Sequence, residues 1–115
     1  MNEFDYIEKY LKPLTSNVAR NLKDDAAIFQ QKSNYDLVIS TDTLAEGIHF
    51  FGHENPRDIG KKCLRVNLSD MAAMGAKPIF YNLYISINKK KAKYFIPLFT
   101  KGLCEDQKIF GVKLI

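Results

Sequence analysis

A chain of 115 residues, 46% hydrophobic and 26% charged, has the composition of one globular domain and can bury roughly two thirds of its unfolded surface. Its net charge of +4 suits a phosphorylated ligand and is too small to argue for nucleic acid. The one basic cluster, Asn88 to Lys93 (NKKKAK), lacks the interleaved aromatics of a single-strand binder and reads as a solvated loop and helix start.

Phe4, Ile7, Leu11 and Leu14 fall at helical spacing, which predicts a short amphipathic helix at the start, closed by Pro13. The apolar runs Ala26 to Phe29 and Tyr35 to Ser40, separated by QQKSN, predict two strands of a hairpin. Asn55 followed by Pro56 and Asp58 marks a helix start, and Gly75 followed by Pro78 marks its end. Pro78 to Ile87 (PIFYNLYISI) is a β-prone run, with Ile79, Leu83, Ile85 and Ile87 on one face and Phe80 and Tyr84 on the other. Residues 92–110 predict a second long helix, with Pro97 in its first turns and Gly111 as a left-handed cap. VKLI then begins a strand.

The order α-β-β-α-β-α-β predicts a mixed α/β sandwich, one sheet covered by two long helices, as a single domain over residues 1–115. The chain stops at Ile115 on an apolar strand residue, from which a truncated domain is expected. Cys63 and Cys104 stand far apart without metal spacing and read as free thiols in a reducing compartment. The acidic start MNEFDYIEKY is unlike a secretory leader, and no apolar run reaches bilayer length, so a cytoplasmic protein without a membrane partner is expected.

Four acids stand at element ends. Asp24 and Asp25 lead into a strand, Asp42 ends one behind Ser40 and Thr41, and Asp70 lies on the helix that starts at Asn55. At roughly 100° per residue, Asp58, Lys62, Arg65 and Ser69 form one polar stripe, while Asp70 falls in line with Ile59, Cys63 and Val66. A carboxylate in an apolar stripe is costly unless something pairs with it, so a metal explains the position better than a loop cap. Magnesium prefers carboxylates and shares its remaining sites with water and substrate phosphates. There is no Gly-x-x-x-x-Gly-Lys-Ser/Thr and no Gly-x-Gly-x-x-Gly, so any phosphate held here is held through metal ions.

DDAAIF, VISTDTLAEGIHF and NLSDMAAMGAKP resemble, in order and separation, three N-terminal motifs of the thiamine-monophosphate kinase family, within the aminoimidazole ribonucleotide synthase-like superfamily. The resemblance covers nearly the whole chain. It implies transfer of the γ-phosphoryl of ATP to thiamine monophosphate with several Mg²⁺ ions, by a homodimer. It makes Asp25, Asp42 and Asp70 metal ligands, with Ser40 and Thr41 at the same site. Asp24 would lie on the nucleotide side, His49 would contact the substrate phosphate, and Glu46 is left as a turn residue. By its residues alone, His49 reads as a strand-edge histidine between Ile48 and Phe50.

Two departures from the family stand out. Asn21-Leu22-Lys23 replaces a glycine-containing loop, and no Gly-Gly-Asp-Thr follows Leu114-Ile115. The latter would supply a further metal ligand and lead into a C-terminal domain, so the chain is expected to be inactive alone unless a separate C-terminal chain completes it. The competing reading is a non-catalytic remnant or dimerisation module. A small nucleic-acid binder ranks well behind both.

Overall fold

A computed structural model describes residues 1–32 and 34–115. The chain opens with α1 (Glu3–Tyr6), continues through a π turn (Ile7–Leu11) and a 3₁₀ turn (Lys12–Leu14), and then forms a second 3₁₀ segment (Asn17–Leu22). The later elements are α2 (Pro56–Ala73), β1 (Phe80–Tyr81), α3 (Lys89–Phe110) and β2 (Lys113–Leu114).

Each helix begins where its cap residue says it should. Asn2 and Asp5 form a reciprocal capping box: the Asp5 amide donates to Asn2 Oδ1 at 3.0 Å and the Asn2 amide donates to Asp5 Oδ2 at 2.9 Å. The first helix closes after Pro13 as predicted, and Leu14 is buried in the core. Phe4, however, is 77% exposed, because the wide π turn shifts the phase between it and Leu11 and Leu14. Asn55 caps α2 by accepting from the Arg57 amide at 3.0 Å, with Pro56 in the first helical position; Gly75, at φ 65°, follows its end. Asn88 caps α3 by accepting from the Lys90 amide at 2.9 Å, and Gly111 at φ 73° ends it. Pro97 lies in the third turn of α3 rather than its first turns. The carbonyl its missing N–H leaves unpaired belongs to Lys93, an exposed residue where water can reach.

The two long helices cross at their glycines. A Cβ on Gly60 would run into the Phe99 carbonyl oxygen, and one on Gly102 into the Arg57 carbonyl oxygen, so the backbones meet where neither has a side chain. Charge then fixes the crossing. The Arg57 guanidinium donates to Glu105 at 2.7 and 3.0 Å, and the Lys61 ammonium lies 2.9 Å from the same carboxylate. Arg65 grips both oxygens of the fully buried Asp106, at 2.8 and 2.9 Å. Leu14, Ile59, Leu64, Phe99, Leu103, Val112 and Leu114 form the core beneath.

The sheet is small. β1 and β2 pair in parallel, Phe80 opposite Lys113 and Tyr81 opposite Leu114, and Thr15 bridges to Leu114 on the other side. Buried Gln107 ties these pieces together, donating from Nε2 to the Leu14 carbonyl at 2.8 Å and to the Tyr81 hydroxyl at 2.9 Å. The mixed α/β class holds, with the sheet much reduced. The expected hairpin is not formed among the described residues: Ala26–Phe29 and Tyr35–Ser40 carry no ladder, and Ser33, in their connection, lies outside the described residues. QQKSN contains no two-residue Asn-Gly or Asp-Gly turn to set a register. In the 78–87 run the alternation holds, with Tyr81, Leu83 and Ile85 packed on the core and Tyr84 89% exposed. Ile79 departs from it at 46% exposed, while Phe80 is half-buried with its ring edge-on to Phe29 at 5.3 Å.

Candidate functional site

The residues that sequence reasoning singled out lie on and beside α2. Asp58, Lys62, Arg65 and Ser69 form the exposed stripe their spacing predicts, and with Lys61 and Val66 they line a shallow groove. Asp70 does not sit in an apolar environment. Ile59 is buried and Cys63 and Val66 are half-buried, but Asp70 is exposed. The ion pairs and glycine contacts between α2 and α3 lie between Arg57 and Arg65, and Asp70, beyond them on α2, is open to water.

What the fold does bring to Asp70 is Ser40, thirty residues earlier. Its hydroxyl reaches Asp70 Oδ2 at 3.5 Å, the long end of hydrogen-bond range. Asp42 folds back on its own turn, accepting the Thr43 amide at 2.8 Å. The Cys63 thiol is pushed up, first by burial and then by the charge of the Asp42 carboxylate. Cys63 lies two helical turns before Asp70. Of the proposed ligands, Ser40 and Asp70 are the two that a contact joins among the described residues. Thr41 is exposed between Ser40 and Asp42. Asp24 is held apart in an ion pair with Arg20, and Asp25 is exposed beside it. Among the described residues no three His, Cys, Asp or Glu side chains are gathered as a metal shell. The donors are hard oxygens of the kind magnesium takes, so they fit in chemistry, while their number falls short of a complete protein cage.

Next to the acid pair, Arg20, Asn21 and Leu22 take φ of 53°, 59° and 57°. Two of these, Asn21 and Leu22, stand where the resemblance expects the glycine-containing loop. The chain adopts a glycine-type backbone there without glycine, and a left-handed conformation costs an ordinary side chain about 1–2 kcal/mol. Lys23 does not share it, at φ −105°.

His49 sits in the turn from Ala45 to Phe50. Its Nδ1 accepts the Ala45 amide at 2.9 Å, and the Gly47 amide donates to the Phe50 carbonyl at 2.6 Å. The Lys62 ammonium donates to the His49 carbonyl, and Glu46 faces Lys91 of α3 at 3.4 Å. Glu54 closes the following bend by accepting the Phe51 and Gly52 amides at 2.7 and 2.9 Å, bonds that hold its carboxyl below the usual range. Lys62, Glu46 and Lys91 were not legible as partners, because they meet across separations of 13 and 45 residues. Among the described residues no helix is long and apolar enough to cross a membrane.

Fold and site together define a small mixed α/β domain whose conspicuous polar groups, an aspartate-bearing helix end and a serine-acid turn, converge from distant parts of the chain. A family model described as AIR synthase related protein, N-terminal domain, matches residues 23–115, and the chain belongs to that family. It is 39% identical over 115 residues to the thiamine-monophosphate kinase of Caulobacter vibrioides, covering 98% of this chain and 33% of that protein. It is 44% identical to the protein of the same name from Buchnera aphidicola subsp. Schizaphis graminum (99% and 36%) and 37% identical to that of Bacillus subtilis (100% and 36%). The chain spans about a third of the length of these curated relatives.

Proposed function

We propose that the chain supplies the N-terminal metal- and substrate-holding part of a thiamine-monophosphate kinase, which transfers a phosphoryl group from ATP to thiamine monophosphate. The observation that carries this reading is the match along nearly the whole chain to relatives of that name. The meeting of Ser40 with Asp70 across thirty residues is consistent with it.

Ser40, Thr41, Asp42 and Asp70 would hold magnesium, Asp25 would join them, and Asp24 lies toward the nucleotide. Bound magnesium would offset the charge on the phosphates during in-line transfer. The protein's own part is to orient. α2 supports Asp70 and Lys62, and Lys62 in turn holds the turn that bears His49, the proposed contact to the substrate phosphate. The proposed assembly is a cytoplasmic homodimer, with Tyr84 and the other exposed apolar residues of the 26–51 and 78–87 segments as the surface in need of cover. A separate C-terminal polypeptide is a further proposed partner. The competing reading is a non-catalytic remnant or dimerisation module.

The test is a hybrid in which this chain replaces the corresponding segment of the Bacillus subtilis relative. ATP-dependent formation of thiamine diphosphate is expected, and its loss in hybrids carrying Asp42→Asn or Asp70→Asn. A folded hybrid that binds nucleotide yet turns nothing over would refute the kinase reading.

A further inference from the structure

The turn from Ala45 to Phe50 is held from three sides. Inside it, the Ala45 amide donates to His49 Nδ1 at 2.9 Å. From α2, the Lys62 ammonium donates to the His49 carbonyl. From the first turns of α3, Lys91 faces Glu46 at 3.4 Å. A ring nitrogen that accepts from an amide N–H presents a lone pair and carries no proton, so in the neutral imidazole the proton sits on Nε2. The carbonyl that Lys62 grips and the ring that Ala45 orients belong to the same residue.

From this geometry we infer that Lys62 is a positioning residue: it seats the turn on α2 so that the Ala45 amide fixes His49 with its proton on Nε2. His49 then meets its ligand as a hydrogen-bond donor, suited to an anionic oxygen such as a phosphate oxygen. Its Nδ1 is committed to the backbone and is withheld from metal binding and from proton abstraction. The ligand half of this inference rests on the substrate reading proposed above; the Lys62 half does not.

Nitrogen NMR of the labelled full chain at mildly alkaline pH tests both halves. A coupling across the hydrogen bond between the Ala45 amide nitrogen and His49 Nδ1 is expected, with Nε2 bearing the proton. In Lys62→Met that coupling should vanish and the Ala45 amide should exchange with solvent at least tenfold faster. In Lys62→Arg both should return. Lys62 is exposed, and an unchanged urea midpoint would show that Lys62→Met remains folded. Absence of the coupling in the wild type, or its survival in Lys62→Met, overturns the positioning role. Added thiamine monophosphate should move the Nε2 resonance and leave the coupling intact. A ligand that abolishes the coupling overturns the donor role. No response to ligand counts against the substrate reading, while the ligand-free spectra still decide Lys62.

Discussion

Arg65 and Asp106 share one ion pair in unequal surroundings. The Asp106 side chain has no exposure, whereas that of Arg65 is 51% exposed and lies over the Phe110 ring at 5.9 Å. Removing the arginine strands a buried carboxylate, a loss that costs about 3–5 kcal/mol when a buried charge is left unpaired. Removing the acid leaves a cation that water can reach. Arg65→Met should therefore lower unfolding stability by about 3 kcal/mol and Asp106→Asn by about half as much. Equal losses in urea titrations would show that burial of the acid does not set the scale. Glu105 behaves differently, as a solvent-reachable group pulled down to about 2 by the Arg57 hydrogen bonds, then by Lys61. Because its folded value lies below the usual 4.5, its contribution is fully present above that pH and fades as pH falls toward 2. The acid unfolding curve of Glu105→Gln should consequently run flatter than wild type within that window and parallel to it above.

At the scale of elements, the crossing of α2 and α3 depends on what is absent at Gly60 and Gly102. Alanine inside an isolated helix is favoured over glycine by about 1 kcal/mol. Here a methyl at Gly102 meets the Arg57 carbonyl, a backbone atom that cannot swing aside. Overpacking of this kind costs about 1–3 kcal/mol, and the Arg57–Glu105 pair would be displaced with it. Gly102→Ala should thus be destabilising by about 1–2 kcal/mol on balance, read as a lower urea midpoint. A stabilised variant would mean that the helices can separate without loss.

For the molecule as a whole, the count of ligands decides what this polypeptide can do by itself. Ser40 meets Asp70 on α2, and no shell of three acids is closed among the described residues. Weak Mn²⁺ binding is expected, seen as paramagnetic broadening centred on Ser40 and Asp70 and reduced in Asp42→Asn. Equal broadening in both would remove Asp42 from the site. The 115-residue polypeptide alone should give no measurable conversion of thiamine monophosphate, because each missing tenfold of rate is about 1.4 kcal/mol of transition-state stabilisation and several contributions are incomplete together. Turnover that disappears when Asp42 and Asp70 are both replaced by Asn would overturn that expectation.

The sequence by itself determined what is local. Asn55 with Pro56, Gly75 and Gly111 set helix ends, because capping involves a hydrogen bond or a backbone angle within a few residues, whereas α3 starts at Lys89, three residues before the expected start. The placing of Leu83 and Ile85 on one face and Tyr84 on the other was legible for the same reason, while Ile79 and Phe80 departed from it. Only the tertiary structure decided the rest. Ladder pairing demands a partner strand: among the described residues the β-prone runs at 26–29 and 35–40 form no ladder, while Phe80–Tyr81 pairs with Lys113–Leu114. The helical phase of Asp70 was readable, but its exposure was not, because exposure depends on what packs against the helix. The left-handed backbone at Arg20 to Leu22 and the hold of Lys62 on His49 likewise arise from contacts and conformations that no residue type announces. Local hydrogen bonds constrain a few dihedrals and can be read from neighbours; long-range contacts must first offset the entropy of closing the loops between them, and only the packed fold shows which of them do.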